Sequence, residues 1–393
     1  MNVIDSVERK DCCGCSACVQ ICPEGCLAMK ADRHGFCFPE LTERSCSDCG
    51  LCQRVCPVLE KGGEFVEPQE VYAVRNLREQ VRMKSSSGGV FAFLAGRVLD
   101  EGGVVFAARF DSGWRVVHDC TERAEDLPRF MGSKYVQSDI GDCFTRARDY
   151  LKNGRRVLFV GTPCQIKALR LFLNKPYDKL TTVDFVCHGV PSPSVWRKYL
   201  EGVVKKNGMT LEDIQDITFR NKDVSWRRYS VMIRAQDRTI VREDLYHNTY
   251  LRGFLKNLYL RPSCHDCHAR NFSSLSDITV CDFWGVENYH AQIDDNKGVS
   301  AVFVHNPSLL DVLKDEQMML LKTDFRKVYA ANTSISLSAK KHAKREEYLD
   351  NFSDRNFERY TKRFIRKSFS KRVKRVVRRA VSVLRKPKAV RRK

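Results

Sequence analysis

Short apolar blocks run through the middle of this chain, and they change period as they go. Residues 70–75 (EVYAVR) read as a strand. Residues 90–100 (VFAFLAGRVLD) place apolar side chains at helical spacing, and Gly102-Gly103 closes the helix. Strands are predicted at 103–110 and 114–118, and a helix at 142–152 that Asn153-Gly154 ends. Residues 156–160 (RVLFV) and 182–187 (TVDFVC) read as short buried strands. Beyond Ile214 the period becomes that of β structure, with strands at 217–220, 229–235 and 238–242. Helical spacing returns over 248–260, and further strands are predicted at 278–283 and 299–305.

The flanks follow other rules. Residues 1–60 are rich in cysteine, and 61–69 (KGGEFVEPQ) read as a polar linker with two glycines and a proline. The expected organisation is α+β: an N-terminal cysteine module (1–60), the linker (61–69), a mixed α/β core in two parts (70–155 and 156–330), a helical extension (331–360) and a basic helical tail (361–393). The net charge of +20 is misleading until it is located. Residues 361–393 hold 16 Lys or Arg and no Asp or Glu, so most of the surplus belongs to the tail and the body is nearly neutral. That argues against a nucleic-acid channel in the core. Apolar positions from Phe364 to Leu384 recur in steps of three and four, as on an interfacial helix, which predicts attachment to an anionic membrane surface. The absence of an apolar N-terminal run and of any long apolar stretch predicts a cytoplasmic protein, peripheral at the inner face of the membrane.

Eleven of the 18 cysteines lie in the first 56 residues. Cys12-x2-Cys15-x2-Cys18-x3-Cys22-Pro is repeated as Cys46-x2-Cys49-x2-Cys52-x3-Cys56-Pro. This is the bacterial ferredoxin run, in which three close thiolates hold one cubane and the fourth cysteine ligates the other. The expectation is two 4Fe–4S clusters, one on Cys12, Cys15, Cys18 and Cys56, the other on Cys46, Cys49, Cys52 and Cys22. Zinc also takes Cys-x2-Cys, but it does not need the 2-2-3 spacing twice.

The core adds a second group. In Gly161-Thr162-Pro163-Cys164 a buried strand runs into a helix with Thr as N-cap and Pro in the first turn, so Cys164 meets the unpaired N–H groups and positive dipole end that favour a thiolate. Cys187 ends the next predicted strand, and ligands gather at the carboxyl ends of strands in α/β sheets. With Cys264 and Cys267 of a further Cys-x2-Cys, four cysteines from three loops could close a third metal site; zinc with His265 or His268 is the alternative. Cys13, Cys26, Cys37, Cys120, Cys143 and Cys281 read as small buried hydrophobes. The Ser85–Gly89 run before the first core helix suits the phosphates of a nucleotide cofactor or simply caps the helix. There is no G-x-G-x-x-G, so a conventional dinucleotide site is not expected.

SSSGGVFAFLA (85–95), GSKYVQSDIG (132–141), GTPCQIKALR (161–170), CHGVPSP (187–193), CHDC (264–267) and SDITVCDFWG (276–285) together resemble the family of β subunits of coenzyme F420-reducing hydrogenase and dehydrogenase. Cys281 stands where that family usually has glycine. The resemblance implies FAD, with Ser87, Gly88 and Gly89 at its phosphates and Lys134 and Gln137 near its ring. It also implies a core 4Fe–4S cluster on Cys164, Cys187, Cys264 and Cys267. The expected function is an FAD-dependent iron–sulfur oxidoreductase serving a ferredoxin-like or enzyme redox partner, since a flavin converts between one- and two-electron steps. The alternative is a non-catalytic electron-transfer subunit.

Overall fold

Residues with little in common in sequence position reach one place because of the order of strands in a single large sheet. The computed structural model describes residues 2–60, 65, 67–68, 70–352 and 356–366. Its strands are β1 (Leu27–Ala31), β2 (Cys37–Leu41), β3 (Glu70–Asn76), β4 (Val104–Phe110), β5 (Val116–Thr121), β6 (Val157–Gly161), β7 (Leu180–Phe185), β8 (Ile214–Asn221), β9 (Ser230–Ala235), β10 (Arg238–Asp244), β11 (Ile278–Asp282), β12 (Ser300–Val304) and β13 (Met318–Lys322). The central sheet has eight strands in the order β13-β3-β12-β11-β7-β6-β4-β5. Its middle, β4-β6-β7-β11, is parallel, and the pairings outside it are antiparallel.

Strands covered on both faces read as continuous apolar runs, and Val157, Leu158 and Phe159 of β6 are fully buried. Helix α1 (Val90–Asp100) covers one face through Phe93, Leu94 and Val98, packed with Val105, Leu158 and Val183. Helices α2 (Cys143–Lys152) and α3 (Pro163–Leu173) cover the other, where Phe144, Ile166 and Leu169 meet Phe106 and Phe159. A three-stranded antiparallel sheet, β10-β9-β8, stands apart. It shares an aromatic core with α4 (Pro193–Lys206), α5 (Thr249–Leu255) and α6 (Phe357–Ile365), including Trp196, Tyr199, Phe219, Tyr250 and Phe357.

The N-terminal segment is two cysteine loops and the β1–β2 hairpin, paired in register from Leu27↔Leu41 to Ala31↔Cys37. It packs on the core: Cys15, Ala17 and Val55 join the cluster beneath α2 and α3.

Several boundaries differ from the sequence reading. The strand expected at 114–118 is β5, which starts at Val116 because Trp114 has a left-handed φ of 61°. The strand expected to reach Cys187 ends at Phe185, so Cys187 lies on the loop beyond it. The helix expected over 248–260 is α5 alone; Asn257 is left-handed at φ 59°, and Leu260 pairs with Pro191 as an isolated bridge. The hairpin and the edge strand β13 carry weak alternation and were not anticipated. Phe364 and Ile365, expected on a membrane-facing helix, are instead buried in α6 against the aromatic core. The tail boundary at 361 therefore needs correction, because Thr361 to Ile365 belong to the folded body. The tail beyond Arg366 lies outside the described residues. Among those described, no helix is long and apolar enough to cross a membrane.

Candidate metal and cofactor sites

Each of the three four-cysteine sets lines one cavity. The outer cavity, about 330 Å³, is bordered by Cys22, Cys46, Cys49 and Cys52. The inner one, about 780 Å³, is bordered by Cys12, Cys15, Cys18 and Cys56. The core one, about 820 Å³, is bordered by Cys164, Cys187, Cys264 and Cys267.

The two N-terminal loops take the same backbone course. Gly14 and Asp48, one residue before the second cysteine, are left-handed at φ 69° and 52°. Ser16 and Gly50, one residue after it, are left-handed at φ 62° and 71°. Two such residues in five curl a loop around a centre, and they bring the third cysteine onto a short helix, Ala17–Gln20 or Leu51–Arg54. The fourth cysteine crosses over: Cys56 borders the inner cavity and Cys22 the outer.

In the core, β6 and β7 are parallel neighbours, so their carboxyl ends present Cys164 and Cys187 side by side. Gln165 accepts from the Thr162 N–H at 2.9 Å and fixes the start of α3. Cys264 sits on the turn Pro262–His265, and its Sγ accepts from the Val190 N–H at 3.4 Å. Gly189, at φ 137°, passes so close that an added Cβ would lie 3.2 Å from that of Cys264.

Burial pushes the thiols of Cys18 and Cys264 up to about 12 and raises that of Cys187, each with other thiols as neighbours. Buried thiols held in groups of four are protonated without a metal and release protons to one. Among the described residues, no three His, Cys, Asp or Glu converge on a position for a single metal ion. His265 turns its Nδ1 to the Ala339 carbonyl at 2.8 Å. A four-cysteine set around each cavity, with no single-ion position among the described residues, fits a multi-iron group better than one tetrahedral zinc.

The cavities form a row. Cys18 of the inner set and Cys52 of the outer set are buried in one small cluster. Inner and core cavities share Cys13, Pro57 and Val58 as a wall. Cys13 itself borders both cavities, with Cys15 on one side and Cys164 on the other. It is therefore a bridge, where its sequence suggested only a small buried residue. Cys26 likewise borders the outer cavity, its Sγ 3.4 Å from that of Cys22.

The residues expected around a flavin are placed less simply. Ser133 donates from its N–H and hydroxyl to Ser86 Oγ at 2.6 and 2.8 Å, so the 85–89 and 131–137 loops meet. Gly88, however, donates to Ser300 Oγ at 3.0 Å, and Ser87 Oγ donates to the Val299 carbonyl at 2.9 Å. Gly89 starts α1 with a left-handed φ of 88°. Lys134 points inward, donating to the carbonyls of Phe130, Met131 and Gly132. Gln137 donates to the Cys13 carbonyl at 3.2 Å and accepts from Arg261 at 3.0 Å, away from Lys134's partners. Arg82 was not anticipated: it is buried beside Gly89, pairs through one nitrogen with Asp295, and leaves Nε and Nη1 without a hydrogen-bond partner. Two orphaned guanidinium nitrogens, on a residue whose backbone borders the Ser-Gly-Gly turn, are donors suited to an anionic group such as a phosphate.

Known proteins resemble this chain. The F subunit of the F(420)H(2) dehydrogenase of Methanosarcina mazei is 24% identical over 293 residues, 71% of this chain and 77% of that protein. The coenzyme F420-dependent sulfite reductase of Methanocaldococcus jannaschii is 25% identical over 224 residues, 53% of this chain but only 35% of that protein. Among solved structures, a chain of the F420-reducing NiFe hydrogenase complex of Methanosarcina barkeri aligns at a TM-score of 0.46 and 18% identity, covering 70% of this chain and 90% of that one. Residues 154–324, which carry β6 to β13 and all four core cysteines, match the family described as the C terminus of the coenzyme F420 hydrogenase/dehydrogenase beta subunit. Over residues 154–324 the chain is thus similar to the C-terminal part of coenzyme F420 hydrogenase/dehydrogenase beta subunits.

Proposed function

We propose that this chain is an iron–sulfur oxidoreductase subunit that relays single electrons along its row of cysteine sites and exchanges electron pairs with a hydride-carrying substrate through FAD. The observation that carries this reading is the set of three cavities, each edged by one of the four-cysteine sets and lying in a row. Three 4Fe–4S clusters would be held by Cys22, Cys46, Cys49 and Cys52, by Cys12, Cys15, Cys18 and Cys56, and by Cys164, Cys187, Cys264 and Cys267. Clusters supply one-electron storage, and a flavin supplies conversion between one and two electrons. The chain's own part is positional. The left-handed loop residues aim the thiols, Cys15 and Cys18 are buried, and the shared wall of Cys13, Pro57 and Val58 keeps the inner and core sets adjacent. Arg82 with Ser87–Gly89 would receive the flavin phosphates, with Lys134 on the adjoining loop; Gln137 is occupied elsewhere. The relatives' names point to coenzyme F420 as the hydride carrier and to a larger redox complex as the partner.

A second reading, a flavin-free electron-transfer subunit, is favoured by the inward turn of Lys134 and the internal hydrogen bonds of Gly88 and Ser87. Anaerobic reconstitution distinguishes the two. The first predicts about twelve iron atoms per chain and FAD released on denaturation; the second predicts the iron without the flavin. Cys164→Ser should remove only the core cluster's EPR signal. Three intact signals in that variant would refute the core ligand set, and about eight iron atoms in the wild type would remove the core cluster.

A further inference from the structure

Arg261 has no solvent exposure, and its side chain reaches from the core into the first cysteine loop. Nε donates to the Cys12 carbonyl at 2.7 Å, and Nη2 donates to the Cys37 carbonyl at 3.0 Å. Nη1 donates to Gln137 Oε1 at 3.0 Å, and Gln137 Nε2 in turn donates to the Cys13 carbonyl at 3.2 Å. Nη2 also lies 3.8 Å from Cys12 Sγ. Gly14 leaves the room for this: a Cβ there would stand 2.8 Å from Arg261 Nη1 and 2.9 Å from Gln137 Nε2. The guanidinium also lies 4.3 Å from the centre of the Phe38 ring on β2. Three residues further along the chain comes Cys264 of the core set, whose N–H donates to the Arg261 carbonyl at 3.1 Å.

The electrostatics are as pointed as the geometry. The hydrogen-bond partners of this buried cation are carbonyls, one amide and one thiol, and none is a carboxylate. A charge taken out of water without a counter-charge is strongly unfavourable. Arg261 borders the core cavity and touches a cysteine of the inner one, so the negative charge it lacks is available on both sides of it once the thiols are deprotonated.

We infer that Arg261 is a positioning residue with two tasks: with Gln137 it clamps the Cys12–Cys15 loop to the core at a fixed separation from the core cysteines, and it is the counter-cation shared by the inner and core sites. The inference rests on the iron–sulfur reading above. The clamp itself takes part in no bond change. Its charge favours the more negative, reduced state of either neighbouring site, so it raises their reduction potentials.

The test uses the full chain and two substitutions, Arg261→Gln and Gln137→Leu, with two measurements. Limited proteolysis of the metal-free chain reads the clamp: both variants should release the N-terminal segment several-fold faster than wild type. Redox titration monitored by EPR after anaerobic reconstitution reads the charge. Arg261→Gln should move both neighbouring potentials down and weaken the magnetic interaction between the inner and core centres. Gln137→Leu should weaken the interaction and leave the potentials in place. Wild-type proteolysis in both variants, or wild-type potentials in a loaded Arg261→Gln chain, overturns the inference. If Arg261→Gln takes up no iron, Gln137→Leu decides: weakened interaction supports the clamp, and wild-type interaction overturns it. A wild-type chain that never loads iron defeats the functional reading instead, and the proteolysis still judges the clamp.

Discussion

At Gly88 the backbone, not a ligand, first explains the glycine. A Cβ added there would lie 2.3 Å from the Val74 carbonyl of β3 and 2.7 Å from the Ser300 N–H of β12, and neither strand can retreat. Gly88→Val should therefore destabilise the fold by about 3 kcal/mol or more, as overpacking against rigid neighbours does. Thermal melting should show it before any flavin is assayed; a variant that melts like wild type yet lacks flavin would show that the space beyond Gly88 belongs to a ligand. His118 offers a pH test. It is buried, its Nε2 lies 3.1 Å from the Val160 carbonyl and is the nitrogen that donates, and its Nδ1 has no hydrogen-bond partner. Burial holds its pKa down to about 4. The unfolded chain takes a proton near pH 6.5 that the folded chain refuses until about pH 4. Stability present at pH 7 is thus lost as pH falls through that window, by about 3 kcal/mol in all. His118→Phe keeps a ring near Phe159 and removes the titration, so its denaturation midpoint should fall less between pH 7 and 4.5; an unchanged fall would place the acid sensitivity in other groups.

Element by element, what was legible in the sequence was what depends on near neighbours. Helix α1 matches its expected span because its apolar period and its glycine stop are both local. The two cysteine loops were legible because ligand spacing is a local property too. Arg82, Cys13 and Arg261 were not, because their roles exist only across strands and loops: Arg261 meets Cys12 across 249 residues, and no spacing rule joins them. Helix α6 was misread for a related reason. Its apolar stripe has the right period for a membrane surface, and only the fold shows that α4 and α5 already occupy it. A chain ending at Tyr360 loses the buried Phe364 and Ile365, at about 4 kcal/mol for two large apolar side chains. One ending at Arg366 keeps them. Calorimetry should find the first markedly less stable and the second like the full chain; equal melting of the two would mean that the α6 end contributes nothing to the core.

For the molecule as a whole, charge and architecture divide the work. The basic tail lies apart from the cysteine row in sequence, so the membrane attachment expected from its sequence and the proposed electron relay are separable in experiment. Full-length chain should pellet with anionic liposomes at low salt and the chain ending at Arg366 should not, because about 1 kcal/mol per basic residue is then removed. Equal pelleting would end the membrane proposal without touching the relay.

The row of cysteine sites also has a weather side. Cys46 and Cys49 are exposed, whereas Cys15, Cys18 and Cys52 are buried. Any oxidant or alkylating agent arriving from solvent meets the exposed thiols of the outer set before the buried ones, so damage should have a direction and begin at the outermost site. A seconds-long pulse of iodoacetamide on the metal-free chain should mark Cys46 and Cys49 ahead of the buried three by mass spectrometry. In air the loaded protein should shed its outer iron first and keep a working interior for longer, as a fuse protects the circuit behind it; label spread evenly over all twelve thiols would mean that the row has no sheltered end.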